Sequence, residues 1–372
     1  MIRYSEQLID QTDIDAVVSA LNSPFLTQGP KIEEFEENFS SFVGSDSSVA
    51  VCNATAALHL AYLSLGISKG DTVWTVGNTF VATSSAALYC GAQVDFVDIC
   101  LSSYNICTKS LEEKLLNAEV KPKVLTVVHF AGRPCPMKEI KQLCDTYNIK
   151  IIEDASHAVG ARYMGLPIGS CKYSDICIFS FHPVKIITTG EGGMICSNDK
   201  NIISITKKLR SHGIERSTTK HWYPTQEVVG FNYRMTEIQA ALGINQLRKL
   251  PEYQLKRDEI CRHYFEALSD LNITLPLKDN DEYYSAKHLY VVLLCGKTEE
   301  YRNSLLQTLI NNGVGANLHY YPTYRFKNFQ RSKDNFPNNE CYFKTALTIP
   351  CSITMGNNDV EKVVNEIKIC LA

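Results

Sequence analysis

The sequence predicts an α/β protein in two parts: a large domain over residues 1–250, built on a mostly parallel sheet flanked by helices, and a smaller α+β domain over 251–372. Three features carry that expectation. Between about residue 50 and residue 200, short β-branched apolar runs alternate with stretches of helical periodicity, the pattern of parallel strands joined by crossover helices. Glycine and proline fall between these runs. After Arg234 the alternation stops, and one helical stretch leads to Pro251 and a second, more charged one.

Taken in order, strands are expected at 47–53, 71–76, 92–99, 123–130, 150–154, 176–181 and 193–197, where valine, isoleucine and aromatic residues dominate. Helices are expected at 56–66, 81–91 and 136–148. In the second part, strands are expected around 288–295 and 316–321. No internal repeat and no flexible linker interrupts the chain.

With 372 residues, 45% hydrophobic and 21% charged, the chain has ample material for a core and is too apolar for a disordered scaffold. Lys plus Arg (37) nearly balance Asp plus Glu (40), and the charges are interspersed, which argues against a general nucleic-acid or anionic-membrane binder. No window approaches the roughly 18 to 20 apolar residues of a membrane span. The polar N-terminus is unlike a signal peptide, so a cytoplasmic protein is expected. The 14 cysteines are scattered through apolar runs without a C-x-x-C pair, and they read as reduced core residues rather than disulfides or zinc ligands.

Ligands on such a sheet collect beyond the carboxyl ends of the strands, which directs attention to residues 53–56, 78–80, His129, 154–157 and 180–185. There is no G-x-G-x-x-G and no P-loop. In V-C-N-A-T-A-A-L-H-L a strand turns through small residues into a helix whose free N–H groups suit a dianion, or the turn is a plain N-cap. Asp154 closes an apolar strand, as a rim carboxylate or a cap. Lys185 stands in I-F-S-F-H-P-V-K-I-I-T-T-G-E-G-G-M, an apolar setting for a residue that is normally solvated. An amine, a carboxylate and an anion cup together meet the needs of pyridoxal 5'-phosphate. The amine forms the Schiff base, the carboxylate keeps the pyridine nitrogen protonated, and the helix start takes the phosphate.

The ordered motifs N-A-T-A-A-L-H, N-T-F-V-A-T, E-D-A-S-H-A-V-G-A, S-F-H-P-V-K, T-G-E-G-G and N-Y-R-M-T-E-I-Q-A-A-L-G resemble those of the DegT-like sugar aminotransferases of fold type I. The resemblance runs nearly end to end, from F-L-T-Q-G-P and F-E-E-N-F to N-L-H-Y-Y-P-T-Y and T-I-P-C. Through the N-terminal Y-S, S-F-H-P-V-K-x-I-T-T, L-R-S-H-G-I and H-Y-x-P-T-Y it extends to the branch that aminates C4 of UDP-4-keto-6-deoxy-L-AltNAc for pseudaminic acid synthesis. It implies an enzyme that uses pyridoxal 5'-phosphate, takes the amine from L-glutamate and works as a homodimer.

Residue by residue, the resemblance implies that Lys185 is the Schiff-base lysine and Asp154 the partner of the pyridine nitrogen. Phe80 would stack on the ring and His157 would sit beside it. Ala54, Thr55 and Ser180 would hold the phosphate, and Asn232 would reach the phosphate of the neighbouring subunit. For the sugar it points to Tyr4, to Pro24, Phe25, Leu26 and Thr27, and to Asn317, Leu318, His319 and Tyr320, with Ala54, Ser180 and Asn232 also within reach. Ala54 replaces a glycine common in the wider family, although the altrosamine-type relatives share the alanine. Arg133 stands where a neutral residue is commoner, as surface charge or as a contact to an acidic group.

Other readings keep the fold but change the chemistry. A dehydratase would carry histidine in place of Lys185, and a cysteine desulfurase would use Cys171 or Cys351 as nucleophile. Amination of a dTDP- or GDP-linked keto sugar is a further alternative. A non-catalytic binding or regulatory relative would be expected to lack Lys185 or Asp154.

Overall fold

The structure, a computed structural model, describes residues 1–216 and 222–371. Seven strands form its central sheet: β1 (Ser47–Val51), β2 (Thr72–Val76), β3 (Gln93–Val97), β4 (Val124–Val128), β5 (Lys150–Asp154), β6 (Ile176–Ser180) and β7 (Gly193–Ser197). Their spatial order is β1-β7-β6-β5-β4-β2-β3. Each lies within a predicted run. β7 is antiparallel to both β1 and β6, while all other pairings are parallel. A parallel return needs a crossover, usually a helix, and the 181–192 segment between β6 and β7 contains none.

Helices cover both faces of the sheet: α1 (Gln11–Leu21), α2 (Pro30–Val43), α3 (Ala54–Ser64), α4 (Ala82–Tyr89), α5 (Thr108–Asn117), α6 (Met137–Thr146) and α7 (Lys200–Arg210). On one face Leu58 and Leu60 of α3 pack with Val49, Val51 and Ile178. On the other, Phe35 and Phe39 of α2 and Ile140 of α6 meet Trp74, Leu125 and Phe179. Strands flanked in this way bury both of their faces, which is why they read as continuous apolar runs. Each such buried side chain contributes roughly 1.5–3 kcal/mol.

The remaining helices are α8 (Glu237–Leu268), α9 (Glu299–Asn311), α10 (Pro337–Thr345) and α11 (Asn357–Leu371). The two helical stretches predicted on either side of Pro251 are in fact the single helix α8, which passes unbroken through Pro251. Proline inside a helix costs about 3 kcal/mol. Burial of both halves offsets that cost, with Leu247 and Leu250 in the core of the large sheet and Ile260 and Tyr264 in a separate core. That second core surrounds β8 (Tyr290–Leu294) and β9 (Ala346–Ile349), which pair antiparallel, with Ile273–Thr274 on the other side of β8.

The strand expected at 316–321 is not formed. Asn317 makes one isolated bridge to Thr348, after which the segment leaves the sheet and packs Leu318 and Tyr320 against the large core. The N-terminal arm, expected with the large domain, pairs with the smaller part through Ile2 and Val314, and the Cys351 N–H donates to Tyr4 O at 3.0 Å. The cysteines are less uniformly internal than predicted: six are buried, seven partly buried, and Cys341 is exposed. No helix among the described residues is long and apolar enough to cross a membrane.

One side chain ties the start of α8 to α2. Glu237 is buried, and its carboxylate accepts the N–H groups of Gly29 at 3.0 Å, Lys31 at 2.8 Å and Ile32 at 3.4 Å, capping α2 from a distant element. Its own N–H donates to Leu26 O at 3.0 Å. Glu237→Ala is expected to destabilise the protein by about 2–3 kcal/mol in urea unfolding, with Glu237→Gln recovering part of the loss. An unchanged midpoint for Glu237→Ala would show that the cap contributes nothing.

Candidate active site

A cavity of about 520 Å³ opens at the carboxyl ends of β1, β4, β5 and β6. At the end of β1, Asn53 caps α3 by accepting the Ala56 N–H at 2.8 Å. The N–H groups of Ala54 and Thr55 have no main-chain acceptor among the described residues, and both residues line the cavity. Behind this cup lies Gly193 of β7. A Cβ there would stand 2.8 Å from Asn53 C and 2.9 Å from Ala54 N, so only glycine lets the strand approach so closely.

Asp154 ends β5, where register with Val128 of β4 and Ile178 of β6 fixes its place. It is 4% exposed and held from two sides. Ser156 N–H donates to Oδ1 at 3.1 Å, and Thr83 Oγ1 donates to Oδ2 at 2.7 Å. Because Thr83 spends its proton on Asp154, the 2.8 Å contact between Thr79 and Thr83 has the Thr79 hydroxyl as donor. Tyr62 braces the same turn through its bond to Thr83 O at 2.9 Å. The result is a chain of donors aimed at one carboxylate.

Lys185 follows β6 on a segment pinned by Ser5 Oγ to Val184 O at 2.7 Å and by its own N–H to His182 O at 2.8 Å. Its amine lines the cavity and has no hydrogen-bond acceptor among the described residues. Burial lowers its pKa from 10.5 to about 8, against the opposing charge of Asp154. At neutral pH a usable fraction is therefore the free amine.

The opposite wall is made of rings. Ala131 N–H donates to His157 Nδ1 at 3.3 Å, so in the neutral ring Nε2 carries the proton and donates to the Tyr320 hydroxyl at 3.1 Å. Ala131 has a left-handed backbone (φ 56°), which costs roughly 1 kcal/mol and turns its N–H toward the histidine. Burial, and then Lys185, holds His157 well below the usual histidine range and His319 at about 3. His288, packed 4.5 Å from His157, is also held low, by burial first. Neutral His157 and His319 thus face the amine, with neutral His288 packed behind His157. Tyr4 packs on His319 at 5.1 Å, and the exposed ring of Phe80 meets Tyr320 at 6.0 Å.

Of the residues singled out in the sequence, the cavity brings together Tyr4, Ala54, Thr55, Phe80, Asp154, His157, Ser180, Lys185, His319 and Tyr320. It does not include Pro24, Phe25, Leu26 and Thr27, which are exposed on a loop fixed to α8 by the Thr27–Thr236 bridge. Asn232 is exposed and outside the cavity. Asn317 turns its side-chain oxygen onto Leu318 N–H at 2.8 Å. His129 is structural, fully buried and bonded to Glu153 at 2.7 Å. Arg133 also lies away from the cavity, 4.9 Å from the Tyr283 ring. Neither Cys171 nor Cys351, the thiols considered as nucleophiles, lines it. Sequence reading missed Thr83 and Glu191. Thr83 sits in a run of small residues, where its spacing from Thr79 by one helical turn was the available signal.

The residues present fit pyridoxal 5'-phosphate. The unpartnered Lys185 amine, the unpartnered N–H groups at the start of α3 and the exposed face of Phe80 each supply a contact that such a group needs.

Residues 7–368 match the family model described as the DegT/DnrJ/EryC1/StrS aminotransferase family. The chain is 41% identical over 365 residues to UDP-4-amino-4,6-dideoxy-N-acetyl-beta-L-altrosamine transaminase of Campylobacter jejuni subsp. jejuni serotype O:23/36 (strain 81-176), covering 98% of this chain and 96% of that protein. Among solved structures it is similar to Helicobacter pylori PseC, an aminotransferase involved in pseudoaminic acid biosynthesis, with TM-score 0.93, 29% identity, and 100% and 99% coverage of the two chains. It also resembles the putative sugar aminotransferase Spr1654 from Streptococcus pneumoniae in its PLP form, with TM-score 0.92, 28% identity, and 99% and 98% coverage.

The lowered Lys185 pKa has a consequence for stability. An unfolded chain keeps this lysine protonated up to about 10.5, whereas the folded one releases the proton near 8, so stability rises with pH between those values. Lys185→Met is therefore expected to stabilise the cofactor-free protein by about 1–3 kcal/mol at pH 7. The advantage should shrink as pH approaches 10. Identical urea midpoints for the two proteins at pH 7 would contradict the desolvated amine.

Proposed function

Since this chain belongs to the DegT/DnrJ/EryC1/StrS aminotransferase family, we propose that it transfers the amine of L-glutamate to C4 of UDP-4-keto-6-deoxy-L-AltNAc, supplying pseudaminic acid synthesis. The observation that carries the chemistry is the convergence, in one cavity, of a low-pKa amine at Lys185 and a donor-held carboxylate at Asp154 beside an open helix start. The sugar assignment rests on the 41% identity to the altrosamine transaminase over 98% of this chain.

Pyridoxal 5'-phosphate supplies an electron sink that lets an amine's neighbouring carbon give up its proton. Lys185 Nζ would hold the cofactor's aldehyde carbon between turnovers. When not so engaged, the same amine, its pKa lowered by burial, would serve as the base that takes the proton from the donor's Cα and delivers one to C4 of the sugar. Asp154 would keep the ring nitrogen protonated, its own charge stabilised by Thr83 and Ser156. The N–H groups of Ala54 and Thr55, with Ser180, would take the phosphate. Phe80 would cover one face of the ring, and the neutral His157 would lie beside it.

The substrate would lie under Tyr4, His319 and Tyr320, where buried hydrogen-bonding groups reject a sugar that leaves them unpaired. The exposed loop at 24–27 and Asn232 would complete the site across a cytoplasmic homodimer, with Asn232 reaching the partner subunit's phosphate. In this reading residues 1–250 carry the cofactor and 251–372 form the smaller domain.

The test compares kcat/KM for UDP-4-keto-6-deoxy-L-AltNAc, its D-gluco epimer and GDP-4-keto-6-deoxymannose, each with glutamate. Preference for a competitor would replace the substrate and leave the transaminase intact. Lys185→Ala is expected to abolish turnover of all three. Mixing Lys185→Ala chains with Asn232→Ala chains should restore activity through one intact site per heterodimer if Asn232→Ala alone is inactive. No restoration would refute the shared site.

A further inference from the structure

Outside the active site, two thiols from distant parts of the chain meet. Cys261 of α8 and Cys351, two residues beyond β9, stand with their sulfurs 3.7 Å apart. This is the one sulfur–sulfur contact within hydrogen-bonding range among the described residues. Arg257, one turn earlier on α8, anchors the contact by donating to Lys287 O at 3.1 Å, His288 O at 3.3 Å and Cys351 O at 2.5 Å, and its NH1 is 4.0 Å from Cys351 Sγ. A hydrogen bond from Cys261 and the nearby Arg257 charge lower the Cys351 thiol below its ordinary value, while the same hydrogen bond and burial raise that of Cys261.

The pair is reachable. Cys351 is fully buried, but Cys261 lines a second cavity, of about 580 Å³, bounded by Phe130, Phe265 and Tyr290. The pair also touches the active site through the chain. Cys351 N–H holds Tyr4 O at 3.0 Å, and Ser352 Oγ bonds Glu6 O at 3.4 Å, so the segment carrying Cys351 grips the arm on both sides of Ser5, beside the supports at Ile2 and Ser5 itself.

We propose that Cys261 and Cys351 form a reversible disulfide on exposure to small hydroperoxides, and that closing it displaces the Tyr4 arm. The thiolate of the pair attacks one peroxide oxygen. The O–O bond breaks, hydroxide leaves and takes a proton to become water, and a sulfenic acid remains. The second sulfur, giving up its proton, then attacks the sulfenic sulfur; the S–S bond forms and the hydroxyl departs as a second water. Two thiols lose two electrons, and the peroxide is reduced to two waters. Contraction from 3.7 Å to about 2.05 Å is met by rotation of the two side chains together with a shift of α8 or of the Cys351 segment. α8 is a long helix buried in two cores, whereas the Cys351 segment is irregular, so the segment and the arm it holds yield.

The experiment treats the holoenzyme with hydrogen peroxide, blocks free thiols with N-ethylmaleimide and maps peptides by mass. The expected result is a cross-link joining the Cys261 and Cys351 peptides that dithiothreitol reverses. In parallel, KM for the sugar should rise about three-fold or more and recover with dithiothreitol. Cys261→Ser should lose both responses, while Cys341→Ser, which changes an exposed thiol, should keep both. Absence of the cross-link in the wild type while Cys341 is oxidised would overturn the disulfide, whatever the fate of the variants. Cross-linking with unchanged KM would overturn the coupling to Tyr4. The kinetic arm rests on the transaminase reading and the peptide arm does not, so failure of one is distinguishable from failure of the other.

Discussion

A carboxylate buried where water is scarce is the constraint around which the strand ends are built. Removing an ionised carboxylate from water without compensation costs several kcal/mol, so Asp154 can persist only if donors meet it. The Thr79–Thr83 relay and the Ser156 N–H are those donors, and each sits on a turn fixed by something else. Thr83 lies on α4, whose packing against α3 is locked by the bond from Tyr62. Asp154 itself cannot drift, because β5 is held on both sides in the middle of the sheet. The opposite charge that completes the balance is Lys185, and its amine is kept poised because burial and Asp154 pull its pKa in opposite directions.

The ring wall follows from the same electrostatics. A protonated histidine next to Lys185 would repel it, and burial excludes that charge from His157, His288 and His319. His157 and His319 therefore act as hydrogen-bonding partners, His157 in one tautomer that orients Tyr320 and His319 through Thr348. Burial also pushes the Tyr320 hydroxyl up, so it remains a neutral donor facing the site.

The two cores are not independent bodies joined by a linker. α8 begins by capping α2 through Glu237, crosses from one core to the other, and ends by carrying Arg257 and Cys261 against the segment that grips the N-terminal arm. Through that arm, a residue at the start of the chain reaches the cavity under the control of residues near its end.

The sequence by itself determined the seven-stranded α/β layer, because doubly covered strands must be apolar throughout and their helices must alternate with them. It also singled out Asp154 and Lys185, since a carboxylate ending a buried strand and a lysine amid small apolar residues are both anomalies that local composition reveals. Local pattern could not show the antiparallel β7, the unbroken helix through Pro251 or the missing strand at 316–321. Those depend on what a segment packs against, and burial on two cores outweighs a proline that local propensity treats as a stop. Nor could it show that Thr83, rather than another hydroxyl nearby, donates to Asp154, or that His129 serves Glu153 and not the site. Which side of a strand end faces a cavity is decided by sheet order and register, and these are set by contacts between residues far apart in the chain.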